Sequence, residues 1–269
     1  MPPIELSVIM PVFNERDTVA AVVKRIFSEV PLELELIIVD DGSTDGSGEI
    51  IDALAREDSR IQVLHQPNQG KTAALQNGFQ RVRGEIVIIQ DADLEYDPAE
   101  ILHVVQPILE NHADVVYGSR FLVRRASRVL YFYHYIANSG LTLLSNVLTN
   151  LNMTDVETGY KALRAEIIRN MVIESSGFGI EIEITAKVAK LRAAIYEVPI
   201  SYYGRTYEQG KKIGVKDGIL ALWYILKFNL LRNLNNSFRK IPRLDDTQTG
   251  GFTPAGTTSS KAKAHRVSG

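Results

Sequence analysis

Short apolar runs alternate with amphipathic stretches of helical spacing through the first 120 residues, and this alternation limits the possible folds more than any other feature. The stretches between the apolar runs place valine, isoleucine or leucine three or four residues apart, as a helix with one buried face requires. Strict alternation of this kind is typical of a mostly parallel sheet covered by helices on both faces. The predicted strands are 6–12, 36–39, 61–64, 85–90 and 114–117, and the predicted helices are 17–29, 46–57, 72–82 and 99–110. The chain is therefore predicted to have an α/β fold, Rossmann-like in its sheet.

The second half of the chain departs from this rhythm. Residues 131–151 are aromatic and aliphatic with polar interruptions, which predicts one or two helices. One long amphipathic helix is predicted over 216–236. Its apolar stripe is Ile219, Leu222, Trp223, Leu226 and Leu230. A single folded domain is predicted over 1–236, and the Gly-, Thr-, Ser- and Lys-rich residues 237–269 are predicted to stay unfolded.

Composition excludes some chemistry and indicates the charge of a partner. The chain has no cysteine, which excludes disulfides, thiolate catalysis and zinc–thiolate sites. Net charge is only -2, yet residues 202–240 hold eight Lys or Arg against two acids. A second basic cluster comprises Arg120, Arg124, Arg125 and Arg128. This asymmetry indicates an anionic partner, either a membrane surface or a phosphorylated substrate, and no feature indicates nucleic acid.

The start of the chain and its longest apolar runs bear on location. Residues 1–5 lack the basic start and apolar core of a signal peptide, and no run reaches the roughly 18 apolar residues of a membrane span. A cytoplasmic protein is therefore expected.

One apolar run, ending at Gln90, leads directly into closely spaced carboxylates. In an extended chain Asp91 and Asp93 lie on the same side, where they repel unless a cation or water lies between them. A hard divalent ion that also grips a diphosphate suits such oxygen ligands. The alternative is a solvated acidic loop after a strand.

Polar clusters follow three other predicted strands, and ligands bind beyond the carboxyl ends of parallel strands. Phe13 offers a flat surface and Glu15 an acceptor for a nucleobase or ribose, unless the segment is only a strand end. Asp40 and Asp41 are costly at a buried strand end unless they accept hydrogen bonds, for which a base edge or ribose hydroxyls are candidates. Lys71 opens a helix, where lysine opposes the helix dipole and is better explained by a bound diphosphate.

Taken in order, these motifs resemble glycosyltransferase family 2, which has a single GT-A fold, and its dolichyl-phosphate and polyprenyl-phosphate hexosyltransferases. The resemblance covers roughly residues 4–236. It rests on PVFNE at 11–15, DDGSTD at 40–45, NQGKTAAL at 68–75, QDADLEYDP at 90–98, GSRF at 118–121, TDVETGYKALR at 154–164, EVPISYYGR at 197–205 and GKKIGVKDG at 210–218. It implies a nucleotide-sugar-binding half over 1–120 and an acceptor-binding half over 121–236, with amphipathic helices at the C-terminal end.

The resemblance also implies roles for individual residues. Those implied to hold the nucleoside of a sugar nucleotide are Pro11, Phe13, Glu15, Asp40 and Asp41, with Lys71 and Gln90 as further substrate-binding residues. The implied ligands of Mg²⁺ or Mn²⁺ are Asp91, Asp93 and Glu95. Those implied to meet an acceptor phosphate are Arg120, Arg205, Lys211 and Lys212. Mannosyltransferase relatives add an arginine and a serine there, for which the nearest candidates in this chain are His134 and Asn138.

The predicted function is metal-dependent, inverting transfer of a hexose from a UDP- or GDP-sugar to a polyprenyl or dolichyl phosphate, with Asp93, Arg120 and Arg205 as catalytic residues. Glu181 is a candidate contact for sugar hydroxyls, unless it only stabilises a helix N-terminus. A rival hypothesis is a saccharide or small hydroxylated acceptor, with Glu181 or Asp155 as base. A non-catalytic sugar-nucleotide-binding scaffold and a phosphatase are also compatible with the fold, although Glu95 stands where a phosphatase has a small hydroxyl residue.

The helix over 216–236 bears on membrane contact. Its apolar stripe is flanked by Lys216, Lys227 and Arg232, a pattern that suits a helix lying in the bilayer interface. Burial of the stripe in the protein's own core is equally compatible with the pattern. Peripheral contact with the cytoplasmic face of a membrane, direct or through a membrane-protein partner, is therefore expected.

Overall fold

One seven-stranded sheet organises the protein in the computed structural model, which describes residues 3–122, 131–204 and 215–244. The strands are β1 (Leu6–Val12), β2 (Leu34–Asp40), β3 (Ile61–His65), β4 (Ile86–Ile89), β5 (Val115–Ser119), β6 (Lys161–Arg164) and β7 (Ile195–Pro199). They lie in the order β3-β2-β1-β4-β6-β5-β7. Only β6 is antiparallel to its neighbours, β4 and β5. The predicted α/β class and mostly parallel sheet are confirmed.

Helices cover both faces of the sheet. They are α1 (Val19–Glu29), α2 (Ser47–Glu57), α3 (Lys71–Phe79), α4 (Ile101–Leu109), α5 (Phe132–Thr149), α6 (Ala165–Asn170), α7 (Ile180–Leu191), α8 (Val215–Leu230) and α9 (Leu234–Ser237). In α1, spacing of three and four residues puts Val19, Val22 and Ile26 on one buried face. Every residue of β2 is buried, as expected for a strand covered on both sides.

The core has three parts. One lies between the sheet and α1, α2 and α4, and a second lies on the opposite face under α3, α6 and α7. A third joins α5, α7 and α8 through Val156, Ile182, Tyr224, Ile225 and Phe228. The α5–α8 pair packs on α7, which also contributes Ile180, Ile184 and Val188 to the second part of the core.

The order of the strands determines where ligands can bind. The chain runs outward from β1 through β2 to β3 and then returns to place β4 on the other side of β1. Such a reversal opens a crevice at the carboxyl ends of the two central strands. The carboxylates that follow β2 and β4 meet at this edge, which we call the ligand edge.

The C-terminal helix differs from the prediction. The prediction of a single helix over 216–236 is wrong, because α8 ends at Leu230 and a separate helix, α9, begins at Leu234. Asn233 accepts a hydrogen bond from the backbone N–H of Asn236, and the Asn236 side chain accepts one from the backbone of Asn233. This reciprocal capping starts a new helix and therefore ends the old one.

The predicted stripe of α8 faces outward. Ile219, Trp223 and Leu230 are 65%, 51% and 63% exposed, while Tyr224 and Phe228 on the opposite side are buried. None of the helices within the described ranges combines the length and apolar character that a membrane-spanning segment needs.

Candidate active site

Asp40, at the end of β2, is tied to its own loop and to β3. Its Oδ1 accepts a hydrogen bond from the Ser43 N–H at 3.0 Å, and its Oδ2 lies 3.0 Å from His65 Nδ1. The other ring nitrogen of His65 lies 3.0 Å from Asp52 Oδ1. These two carboxylates raise the pKa of His65, that of Asp52 most strongly, against the opposing effect of burial.

Asp41 organises the loop before α3. Its carboxylate accepts hydrogen bonds from the Gln66 side chain at 2.7 Å and from the backbone N–H groups of Gln69 and Gly70 at 2.8 Å each. The buried Asp41 therefore fixes the segment that leads into Lys71. A carboxylate has about four acceptor positions, so these bonds leave room for a ligand.

The segment after β1 carries the other residues predicted to hold a nucleoside. Asn14 accepts from the Thr44 N–H at 2.8 Å, and the Glu15 N–H donates to Ser47 Oγ at 2.9 Å, so this segment is joined to the loop after β2. Phe13 projects from the junction and is 37% exposed. An exposed aromatic ring beside fixed polar loops is a suitable stacking surface for a base.

Lys71 brings together three of the predicted site residues. Its Nζ lies 3.0 Å from the Asp91 carboxylate and 3.3 Å from Glu181 Oε1. Burial alone would lower the pKa of this lysine, but the Asp91 and Glu181 carboxylates raise it above its ordinary value. Motifs about 20 and 110 residues away in the chain thus converge on a single ammonium group.

The carboxylates after β4 lie in a turn. The extended strand expected to carry Asp91 and Asp93 is wrong, because β4 ends at Ile89 and the chain turns before Leu94, which has a φ of 61°. Asp93 Oδ1 accepts a hydrogen bond from the Glu95 N–H at 3.1 Å. Beneath the turn, the fully buried Gln90 donates to the Asp91 carbonyl at 3.1 Å, so Gln90 supports the turn from inside.

The donor set of this turn fits a divalent ion that also binds a diphosphate. Mg²⁺ is typically held by one or two carboxylates, with substrate phosphates and water completing its shell. Asp91 and Asp93 supply such carboxylates, and a Cβ added to Gly159 would lie 3.0 Å from Asp91 Oδ2, so a side chain at this position would press on that carboxylate. The Glu95 carboxylate accepts a hydrogen bond from the Tyr202 hydroxyl at 2.7 Å. Across the described residues, no three His, Asp or Glu side chains are grouped as an all-protein metal site.

Arg120 follows β5 and forms a buried ion pair. Its Nε and Nη2 donate to the two oxygens of Asp155 at 2.6 and 2.7 Å, and Asn138 donates to the same carboxylate at 3.1 Å. Burial would raise the pKa of Asp155, but the Arg120 guanidinium holds it below its ordinary value. The guanidinium carbon also lies 5.2 Å from the centre of the Tyr202 ring, which connects Arg120 to the Glu95 side of the turn.

The structure describes only some of the residues predicted to bind the acceptor phosphate. Asn138 reaches Arg120 through Asp155, whereas His134 lies beside Tyr131, with ring centres 5.8 Å apart. Arg205, Lys211 and Lys212 lie outside the described residues.

Several residues at this edge were not predicted from the sequence. His65 lies in no motif and acts through Asp40, 25 residues away. Tyr202 belongs to the EVPISYYGR motif, but its partner Glu95 is 107 residues away. The sequence indicates Asp155 only as a candidate base, and it indicates no role for Glu157. Both belong to the TDVETGYKALR motif, so a polar motif on a loop is the signal that could have found them.

Comparison with known proteins then decides the family. The family model for Glycosyl transferase family 2 matches residues 7–172. The chain belongs to glycosyltransferase family 2. An undecaprenyl-phosphate mannosyltransferase from Micrococcus luteus is 31% identical to this glycosyltransferase over 213 residues, which are 77% of this chain and 86% of that protein. A dolichol-phosphate mannosyltransferase from Saccharomyces cerevisiae is 30% identical over 223 residues, covering 78% and 82% of the two chains.

Solved structures agree on the fold. Glucosyl-3-phosphoglycerate synthase from Mycobacterium tuberculosis, crystallised with Mn²⁺, UDP and glucosyl-3-phosphoglycerate, matches with a TM-score of 0.63 at 21% identity, over 84% of this chain and 80% of that one. The predicted family and the predicted GT-A fold of this glycosyltransferase are confirmed.

Proposed function

We propose that this glycosyltransferase moves a hexose from a UDP- or GDP-sugar to a polyprenyl phosphate. Its relatives from Micrococcus luteus and Saccharomyces cerevisiae, named for transfer to undecaprenyl and dolichol phosphates, support this acceptor class. The observation that carries the proposal is the anchored Arg120 beside the carboxylate turn, linked to it through Tyr202 and Glu95. A fixed cation next to a diphosphate site is suited to a second, incoming phosphate.

On the donor side, Phe13, Glu15, Asp40 and Asp41 surround the nucleoside and Lys71 faces the diphosphate. Asp91 and Asp93 would hold Mg²⁺ or Mn²⁺, with Glu95 as a further ligand if it leaves Tyr202. A divalent ion bound there neutralises charge on the departing nucleoside diphosphate. Lys71, released from Asp91, adds a second positive charge to the same group.

On the acceptor side, the phosphate itself supplies the nucleophile. The second pKa of a phosphate monoester is about 6, so its oxygen is already deprotonated near neutral pH. Arg120 and the predicted Arg205, Lys211 and Lys212 orient that oxygen opposite the leaving group. Single displacement with inversion at the sugar carbon follows from this arrangement.

A hydroxylated acceptor needs a base, and neither of the two bases that the sequence indicates is well suited to that role. Asp155 is fully buried, and its lowered pKa under the Arg120 guanidinium makes it a weak proton acceptor. Glu181 is engaged by Lys71 at 3.3 Å.

Membrane contact is part of the proposal. Besides the outward stripe of α8, the first turns of α5 expose Phe132, Tyr133 and Ile136 by 67%, 84% and 51%. We call these side chains, together with Ile219, Trp223 and Leu230, the apolar face. Because α5 and α8 pack on each other, the apolar face belongs to one structural unit and suits a bilayer interface at the cytoplasmic side, alone or with a membrane-protein partner.

Purified protein tests the proposed function directly. It is incubated with GDP-mannose or UDP-glucose and undecaprenyl phosphate in detergent micelles, and the sugar in the lipid fraction is measured with and without chelator. We expect lipid-linked sugar only when divalent metal is present. Transfer to a free sugar or to 3-phosphoglycerate without transfer to lipid phosphate would assign a different acceptor, and no turnover of any donor would indicate a binding scaffold.

A further inference from the structure

The loop from Asp155 to Gly159 connects the two ends of the proposed reaction site. Asp155 binds Arg120 at the acceptor end, and Gly159 closely approaches Asp91 at the donor end. Glu157 lies midway. Two residues of chain span at most about 7 Å, so the backbone of Glu157 lies within that distance of both ends. The transferred sugar has to lie between its diphosphate and the acceptor phosphate, which is the stretch that this loop borders.

A buried lysine holds the loop in this position. Lys161 is fully buried, and its Nζ donates to the carbonyls of Val156 and Thr158, the residues on either side of Glu157. The same ammonium lies 4.8 Å from the centre of the Tyr117 ring. With both flanking carbonyls fixed, the position of Glu157 is set by the fold.

Two carboxylate oxygens beside this stretch have no hydrogen-bond donor. Within the described part of the chain, Glu157 Oε1 and Glu181 Oε2 are buried acceptors without a partner. The other oxygen of Glu181 lies 3.3 Å from Lys71 Nζ, and Glu181 itself is only 5% exposed. Burial, followed by the charge of Glu181, raises the pKa of Glu157 to about 7, so the two carboxylates lie close enough to repel.

Unpartnered acceptors of this kind are unfavourable unless a ligand supplies donors. Neutral donors are favoured over another cation, since Lys71, Lys161 and Arg120 already supply positive charge to the same carboxylates. Ring hydroxyls of a hexose are neutral donors, and they occupy the stretch between the two phosphates.

We propose that Glu157 and Glu181 form a hydroxyl-binding pair, which accepts hydrogen bonds from ring hydroxyls of the transferred hexose and so selects the sugar. The inference rests on the proposed function, because it assumes that a nucleotide hexose occupies the ligand edge. Glu157 is thus a specificity-determining residue, and Glu181 selects the sugar together with it.

Calorimetric titration separates the contribution of the sugar to donor affinity from that of the nucleoside diphosphate. The wild-type protein with Mn²⁺ is titrated with GDP and GDP-mannose, and with UDP and UDP-glucose. For the pair that binds, the ratio of the two affinities measures the contribution of the sugar. In Glu157→Gln we expect that ratio to fall about 10-fold or more while nucleoside diphosphate binding stays unchanged, because a carboxyl group that accepts from a hydroxyl has been replaced by an amide.

Two controls keep the test independent of folding. Glu35→Gln removes a buried carboxylate of β2 that accepts hydrogen bonds from Ser7 and Arg83. We expect this variant to have a lower melting temperature and an unchanged ratio of the two affinities. Monodeoxy versions of the binding sugar, titrated into the wild-type protein, need no variant: at least one should bind about 10-fold more weakly than the parent, and Glu157→Gln should remove that difference.

The outcomes separate the inference from the function on which it rests. If wild-type protein binds neither nucleoside diphosphate, the proposed function fails. If the sugar contributes to binding but Glu157→Gln leaves that contribution and the deoxy-sugar differences intact, the hydroxyl-binding pair is wrong. A variant with unchanged sugar affinity and a lower turnover rate would instead make Glu157 a base, which also overturns the inference.

Discussion

Carboxylates at the ligand edge differ in how many of their acceptor positions the protein itself uses. Asp41 uses three of about four, in hydrogen bonds that tie it to the loop before α3. Asp91 is bound by the side chain of Lys71, which can move. The sequence motifs identified both aspartates, but a motif does not show this difference because the partners lie on other loops.

Asp93 is the residue at which we expect the clearest loss of metal-dependent activity. Asp93→Asn keeps the shape of the turn, and its amide oxygen still accepts from the Glu95 N–H, but a charged ligand for the divalent ion is removed. We expect turnover to fall about 100-fold or more, since metal charge stabilises the leaving group. Turnover across a Mn²⁺ titration measures this, with Glu57→Gln, at an exposed glutamate at the end of α2, as a control. Equal activity at every Mn²⁺ concentration would remove Asp93 from the metal site.

A substitution at Arg205 distinguishes acceptor binding from donor binding. It lies outside the described residues, so its role is predicted from the sequence alone. We expect Arg205→Gln to abolish transfer to lipid phosphate while hydrolysis of the donor continues, because the diphosphate site is untouched. Product analysis by chromatography of the lipid and aqueous fractions measures both, and unchanged lipid transfer would contradict the assignment.

His65 gives the ligand edge a pH-dependent stability. Its pKa is raised in the folded protein, so the stabilising contacts with Asp52 and Asp40 are fully present below the unfolded value of about 6.5 and are lost as pH rises through the higher folded value. Since the side chain is 48% exposed, solvent screening keeps the effect under about 1 kcal/mol.

Urea unfolding of the wild-type protein and His65→Gln, compared at about pH 5.5 and about pH 9, measures this contribution. We expect the wild-type protein to exceed the variant in stability at the lower pH and the difference to shrink at the higher one. A difference that stays constant with pH would show that His65 acts through packing rather than charge.

Among the elements, the alternation of strands and helices was predictable to within a few residues, because periodicity is a local property. The strand order was not. β6 inserts antiparallel between β4 and β5, which lie about 75 and 45 residues earlier in the chain, and no local pattern encodes that pairing. The break between α8 and α9 was not predictable for a related reason, since two asparagines in a polar segment give a weak capping signal.

The outward stripe of α8 predicts binding to membranes. Replacing Trp223 and Ile219 with serine removes two large exposed side chains of the apolar face without touching the buried Tyr224 and Phe228. We expect sedimentation with vesicles containing anionic lipid to weaken about 10-fold or more, because each side chain loses its burial in the interface. Tyr196→Ser, at a 47% exposed tyrosine of β7, is the matched control. Equal sedimentation of all three proteins would exclude the apolar face as the contact.

For the molecule as a whole, the folded unit extends to the segment after α9. The predicted domain limit at 236 stays a prediction, but Ser237 and Phe238 just beyond it are 0% and 4% exposed. The backbone here is also paired, since the Val172 N–H donates to the Ser237 carbonyl at 3.0 Å and the Arg239 N–H to the Asn170 carbonyl at 2.8 Å. The change in composition near residue 237 does not show that Ser237 and Phe238 are buried, because their partners lie far away in the chain.

Two truncations test where the folded unit ends. A chain that stops after Leu244 should melt at the temperature of the full chain, because it retains the buried Ser237 and Phe238 and their backbone pairing. A chain that stops after Asn236 should lose about 3 kcal/mol or more of stability, since burial of Phe238 and its backbone pairing are removed. Thermal unfolding followed by circular dichroism compares them, and equal melting of the two shortened chains would contradict the expectation.

Lys71 balances the charge of two acids without any bound ion. Its ammonium lies between Asp91 and Glu181 and supplies a counter-charge, so the repulsion between these carboxylates is small. Protein stripped with EDTA should therefore stay folded and melt close to its metal-loaded temperature until a nucleotide is added. We expect Mn²⁺ to raise the melting temperature appreciably only when a nucleoside diphosphate is also present.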